Sequence, residues 1–261
     1  MNQENFIKVN LEFDSNLFSE LSSQINFENV GKGRLANHLV KSNDEAIPIV
    51  RTTTQYSIPA HHFSSTHDKI IENINNSISD FGPISFNNAL IEIYDNSYKK
   101  MKYHSDQALD LAPNSYIALY SCYENPEELT AQAIRKLKVK NKTSEEEFEI
   151  SLTHNSLVLF SLTTNSKFYH KIVLEQVPKQ KPLTSENKWL GITFRKSKTF
   201  IKFKNDLAYF ENNKLLELAN DAQKKEYFML RGKENRSLNF NYPELNYTLS
   251  KADLILPKMV K

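Results

Sequence analysis

The chain has little of what would staple, span or strongly charge a protein. Of its 261 residues one is cysteine, Cys122, so no internal disulfide can form and a reducing compartment is expected. Five glycines and nine prolines are too few for a fibrous or low-complexity chain. No apolar run nears the ~20 residues that cross a bilayer. The first residues, MNQENFIKVNLEF, lack the basic start and apolar stretch of a secretory signal. A cytoplasmic protein with no membrane partner is expected. Excess charge of one sign is also missing: 33 basic residues face 31 acidic ones, leaving +2. A polyanionic partner would therefore need a local basic patch, not an overall field.

What is present is the make-up of a globular chain, 39% hydrophobic and 11% aromatic, on a length that can bury its own core. Asp14 or Ser15 is placed to cap a helix whose Leu17, Phe18, Leu21 and Ile25 recur at helical spacing. A polar stretch with Gly31 and Gly33 follows, then IPIVRTTTQYSIP, which reads as extended chain between prolines. A second helix starts near Ser64 or Ser65, with Ile70, Ile71, Ile74 and Ile78 on one face, and stops over Asp80 to Pro83.

From Asn87 the period changes. NNALIEIYD alternates as a strand does, and so do SYIALYSCYE, the Lys136 to Lys140 stretch, EFEISL, SLVLFSL, KFYHKIVLEQV and WLGITFRK. Short strands at this spacing point to a sandwich or barrel. With so few glycines, asparagines are expected at many turns. The last residues differ again. ENNKLLELANDAQKKEYFMLRGKEN reads as a helix ending before Gly232, with Leu215, Leu216, Leu218 and Ala222 on its apolar side. NFNYPELNYTLSKADLILPK reads as docked extended chain.

The motif that carries chemistry is YHSD, followed well downstream by FYH. His104 and Asp106 are two apart, so on extended chain both side chains point to one face. A third ligand from another strand, His170, would complete a two-histidine, one-carboxylate triad that leaves positions open on Fe(II). An HxD pair by itself is weak evidence, because it arises often by chance.

The surroundings add to it. Over IEIYDNSYKKMKYHSD, SYIALYSCYE, ISLTHNSLVLFS, NSKFYHKIV and ITFRKS, from about Asn87 to Arg195, the chain resembles the AlkB-like 2-oxoglutarate oxygenases. VRTTTQY is more weakly similar to the loop on the substrate side. The resemblance implies a double-stranded β-helix, or jelly roll, with iron at one open end. It implies Fe(II), 2-oxoglutarate and O2 as cofactor and cosubstrates. By the family pattern Arg195 pairs with a carboxylate of 2-oxoglutarate, Tyr94 hydrogen-bonds to it, and Ser197 joins through the Arg-x-Ser pattern of related oxygenases. A planar guanidinium fork suits a carboxylate that must be paired when buried.

The chain also departs from that pattern. Trp189 stands where the family usually has a first arginine, Glu92 where an asparagine is common, and Gly191 where a further asparagine falls. One extra residue separates Tyr94 from His104. Lys188 and Lys198 are the candidates to replace the missing arginine.

Other residues read more plainly. His154, in LTHNSL, competes as a third ligand but suits a turn, and His61, His62 and His67 read as surface or loop residues. Lys136 to Lys142 and Glu145 to Glu149 read as a solvated hairpin, and Trp189 as packing. Arg51 with Thr52 to Thr54 offers a guanidinium beside compact hydroxyls.

The expected fold is thus mainly β, within α+β. Residues 1–86 form an N-terminal helical, substrate-side region, 87–204 a jelly-roll oxygenase core, and 205–261 a C-terminal helical extension and tail. The expected enzyme hydroxylates, or oxidatively demethylates, a small polar molecule or other non-duplex substrate. A nucleic-acid demethylase and an inactive jelly-roll binding protein are the alternatives.

Overall fold

The computed structural model describes residues 5–42, 46–99, 101–175 and 186–260. The chain opens with β1 (Ile7–Asn10) and α1 (Phe18–Ser23). A hairpin of β2 (Glu28–Gly31) and β3 (Arg34–Val40) follows, then the short strands β4 (Ile47–Pro48) and β5 (His61–His62), and α2 (Ser65–Ser77). The body comprises β6 (Asn88–Tyr94), β7 (Tyr116–Tyr123), β8 (Lys136–Asn141), β9 (Glu147–Ser151), β10 (Ser156–Ser161), α3 (Leu162–Lys167), β11 (Phe168–Val173) and β12 (Trp189–Arg195). A second hairpin, β13 (Phe200–Lys204) and β14 (Leu207–Phe210), leads to β15 (Glu217–Leu218), α4 (Asp221–Arg236) and β16 (Tyr247–Thr248).

The larger sheet runs β1-β10-β7-β12-β6-β3-β2, with β5 added in parallel to β3. The smaller runs β11-β8-β9. Pleating divides each strand's side chains between two faces. On the inner face of the large sheet His38, Leu90, Thr193, Leu119 and Val158 lie in one cross-strand row. Here Ile117, Leu119, Val158 and Phe160 pack against Leu137, Val139, Ile150, Phe168 and Ile172 of the small sheet. The outer face (Leu39, Ile91, Ala118, Leu190, Phe194) is covered by Phe18 and Leu21 of α1 and Ile70 and Ile74 of α2. Fully burying one such side chain contributes roughly 1.5–3 kcal/mol. Two facing sheets in antiparallel order make the sandwich expected from the strand pattern and the mainly-β jelly roll that the resemblance implied.

The seven strands expected from Asn88 onward all form, the last two residues of KFYHKIVLEQV lying outside the described residues. Asparagines do take left-handed turn positions: Asn114, Asn155, Asn205 and Asn213 have φ of 57°, 54°, 50° and 61°. The tail docks, burying Leu245, Tyr247, Leu249 and Ala252.

Four local expectations fail. Helix α1 starts at Phe18 with Leu17, not Asp14 or Ser15, at its N-cap. The polar stretch around Gly31 and Gly33 is the β2–β3 hairpin. Gly33 has φ +69°, and a Cβ there would meet Asp95 Oδ1 at 2.3 Å. The last helix starts at Asp221, not among the leucines, because Asn220 accepts from Gln223 N–H (3.0 Å) while Gln223 accepts from Asn220 N–H (2.8 Å). It also runs through Gly232 to Arg236. Finally, His61 and His67 are buried, not on the surface. His61 accepts from Asn26 N–H (3.2 Å). His67 is the N3 residue of a capping box, accepting from the N–H of Ser64 (2.9 Å).

Candidate metal centre

His104 and Asp106 lie on irregular chain between β6 and β7. One backbone bridge holds that chain to β11: His104 N–H donates to the His170 carbonyl (3.0 Å) and His170 N–H to the His104 carbonyl (2.7 Å). On β11, Phe168, His170 and Ile172 alternate inward, so the His170 ring enters the space between the sheets. Asn165 of α3 grips the Asp106 backbone from one side, accepting from its N–H (2.7 Å) and donating to its carbonyl (2.8 Å).

These constraints bring three ligand atoms together. The Nε2 of His170 lies 3.3 Å, and that of His104 3.9 Å, from Asp106 Oδ1. One ligand atom from each residue lies within 4.8 Å of the others. The Nδ1 of His104 sits 3.0 Å from the Lys102 carbonyl, so the proton belongs on Nδ1 and the Nε2 lone pair faces the cluster. Partial burial, then the His170 ring, lowers the His104 imidazole to about 4, against the pull of Asp106. Burial alone would raise the Asp106 carboxyl. Arg195, then His170 and His104, outweigh it and hold the group well below the usual carboxylate range. Two imidazoles and an ionised carboxylate, with room for further ligands, fit Fe(II).

Arg195 closes β12 on the same face and donates from Nε (2.9 Å) and Nη2 (2.7 Å) to Asp106 Oδ2. The centre opens into a cavity of about 80 Å³. Its walls are apolar, with Ile117, Leu119, Leu137, Phe160 and Ile172, and its polar lining includes Thr193, Arg195 and the Arg34–Glu92 ion pair (2.6 Å).

The profile of the 2OG-Fe(II) oxygenase superfamily matches residues 14–195, more than half of the chain. The chain belongs to the 2OG-Fe(II) oxygenase superfamily. It is a 2-oxoglutarate- and Fe(II)-dependent dioxygenase, with Fe(II), 2-oxoglutarate and O2 as its cofactor and cosubstrates. His104, Asp106 and His170 form the candidate iron site. Among solved structures it is similar to OsALKBH1, at 14% identity and TM-score 0.50, covering 74% of this chain and 98% of that one. A prolyl-4-hydroxylase from Pseudomonas putida matches at 12% identity and TM-score 0.41, covering 74% of this chain and 92% of that one. No curated protein matches the chain. No helix among the described residues is long and apolar enough to cross a membrane.

Other residues of the family pattern take varied places in this oxygenase. Tyr94 is fully buried between the rings of Tyr98 (4.2 Å) and Trp189 (4.9 Å). Trp189 lies across Gly191, where a Cβ would come within 2.0 Å of the indole. The two departures are therefore one packing choice. Ser197 donates to the Ile49 carbonyl (2.6 Å) and accepts from Thr199 N–H (3.1 Å), away from the cavity. Lys188 pairs with Glu124 (3.5 Å) and Lys198 lines a separate groove, so neither borders the metal cavity. Arg51 does not border it either. Arg51 pairs with Asp110 (2.7 Å) and donates to the Leu245 (2.8 Å) and Tyr247 (3.1 Å) carbonyls, tying its loop to the tail. His154 serves a turn, its Nδ1 accepting from Tyr123 N–H (3.1 Å). Arg34 was not anticipated. Its only signal is alternation in RLANHLV, which puts Arg34, Ala36, His38 and Val40 on the inner face.

Proposed function

We propose that His104, Asp106 and His170 hold the iron, and that the enzyme hydroxylates a C–H bond of a small polar substrate or oxidatively demethylates it. The observation that carries the reading is one half-enclosed cavity containing the converged ligand atoms and two guanidiniums, Arg195 and Arg34. Bound Fe(II) and 2-oxoglutarate supply the oxidising power, turning the oxoacid and O2 into succinate, CO2 and one oxygen atom inserted into the substrate. Where the oxidised carbon is an N-methyl group, the product releases formaldehyde.

The chain's own residues set the conditions for this. Arg195 keeps Asp106 ionised, and the Lys102 carbonyl keeps His104 in the tautomer that presents Nε2. Ile117, Leu119, Leu137, Phe160 and Ile172 keep water from the inner wall. Arg195 is proposed as the contact for the cosubstrate's acid end nearest the metal, and Arg34 for its far carboxylate. Tyr94, packed on Trp189, is the cross-strand neighbour of Arg34, whereas Ser197 is bound to Ile49 away from the cavity.

A turnover assay with Fe(II), 2-oxoglutarate and ascorbate but no substrate tests the reading. Slow succinate formation, abolished by Asp106→Ala, is expected. Iron binding without succinate would leave a jelly-roll binding protein in its place.

A further inference from the structure

The metal-bearing segment gets most of its support from outside the sheets. After the bridge at His104, the N–H of Ser105 donates to Asn235 Oδ1 (2.9 Å), and the Ser105 carbonyl accepts from Arg231 Nη2. The N–H of Ala108 donates to Glu234 Oε1 (2.7 Å), and Gln107 Nε2 donates to the Tyr227 hydroxyl (2.8 Å). All four partners stand on α4 at positions 227, 231, 234 and 235, which share one helical face. They are also tied to one another. Glu234, nearly buried, accepts through Oε2 from Arg231 Nη1 (2.7 Å) and from the Tyr242 hydroxyl (2.7 Å). Asp106 sits in the middle of this segment, gripped by Asn165 on the other side.

We propose that α4 is a positioning element of the metal centre, with Asn235, Glu234 and Arg231 fixing the 105–108 backbone so that Asp106 Oδ1 faces the ion. The proposal rests on the reading of His104, Asp106 and His170 as ligands. Helix α4 lies beyond residue 195, where the family match ends, so this support belongs to the extension of this chain. A carboxylate on irregular backbone keeps its aim only while that backbone is held, and these partners hold the residues on either side of Asp106 while Asn165 holds Asp106 itself. Loss of such outer partners at metal sites typically weakens binding 10–100-fold.

Co(II) titration of the full chain, read by its visible absorption and paired with melting of the metal-free protein, tests this. Asn235→Ala and Glu234→Ala are expected to weaken Co(II) binding about tenfold or more and to alter the absorption band. Asn235→Asp keeps an acceptor oxygen for Ser105 N–H and is expected to restore most of the affinity and the band. Met229→Ala, on the exposed side of α4, is expected to match wild type. If Glu234→Ala fails to fold, the Asn235→Ala and Asn235→Asp pair still decides. Wild-type affinity and band in Asn235→Ala, even with a lowered melting temperature, would make α4 a structural prop and overturn the proposal. A wild-type chain that binds no Co(II) would overturn the ligand reading itself, and this inference with it.

Discussion

Asp106 divides its two oxygens between two tasks. Oδ1 faces the histidines, and Oδ2 takes both bonds from Arg195. The sign of the Arg195 effect follows. With the guanidinium present the carboxyl titrates well below its usual range, so Asp106 is ionised at every ordinary pH. In Arg195→Ala the strongest influence opposing burial is gone and the pKa rises, so protons compete more with the metal and Co(II) binding moves to higher pH. Losing one partner of this buried pair is expected to cost about 3–5 kcal/mol of stability at neutral pH. Arg195→Lys is expected to recover part of it, because a point charge cannot reproduce a two-bonded fork. Metal titrations across about pH 5–8 would check this, and an unshifted profile in Arg195→Ala would disprove it. His104→Ala and His170→Ala are expected to lose Fe(II) binding, whereas His154→Ala, with only a turn hydrogen bond to lose, should titrate like wild type. Full affinity in His170→Ala would remove it from the ligand set. His104 and Asp106 were legible from a spacing of two, and His170 through the FYH motif, only once the surrounding motifs gave them context. Arg34 was not, since its place in the cavity depends on which strand pairs with β6.

At the scale of elements, α2 carries a pH-sensitive start. His67 Nδ1 lies 2.9 Å from the Ser64 N–H and 2.7 Å from its hydroxyl, and must be unprotonated to accept. Burial, opposed by Asp68 and Glu20, lowers the imidazole to about 4. Its unfolded value is near 6.5. The unfolded chain therefore binds the proton more readily, and folding stability falls as pH drops from about 6.5 towards 4. The neutral ring contributes of the order of 3 kcal/mol above that window and nothing below it. His67→Gln keeps the capping geometry with a side chain that does not titrate. Urea melts of both proteins at about pH 7 and 4.5 should show the variant losing less stability on acidification; parallel losses would exclude His67 as the source. The same capping logic explains what the sequence reading missed and what it caught. Asn220 and Gln223 carry a start signal for α4, but the Leu215 to Leu218 run looked more helical than the β15 strand it enters. β8, β9 and β11 alternate because the small sheet buries one face, whereas β6, β7, β10 and β12 are buried on both faces and stand out as short apolar runs. β3 hides its alternation, since Asn37 on its outer face is buried among backbone carbonyls and His38 on its inner face packs on Tyr56.

For the whole molecule, charge is balanced locally as well as overall. Lys136 and Lys138 reach Glu149 and Glu175, and Lys140 reaches Glu145, so the most lysine-rich hairpin answers its own charge. Lys41, Lys188 and Lys214 are likewise matched by Asp68, Glu124 and Glu244. Each exposed pair adds little to stability, about 0–1 kcal/mol, but together they flatten the field that a polyanion would feel. Duplex binding depends on cations that replace the counterions of phosphates, and its affinity falls steeply with salt in proportion to their number. With +2 overall and Lys136, Lys138 and Lys140 paired, this oxygenase is expected to bind methylated duplex weakly and with a shallow salt dependence. Arg51 lends no help, being spent on Asp110 and the tail carbonyls. Methylated duplex, methylated single strand and a pool of small polar metabolites should be compared at about 50 and 200 mM salt, with 2-oxoglutarate consumption and formaldehyde followed in parallel. Faster oxoacid consumption with a metabolite alone would support the small-substrate reading. Tight duplex binding that collapses between the two salt concentrations, accompanied by formaldehyde, would mean that folding gathers the remaining lysines into a phosphate-binding face and that the substrate is nucleic acid.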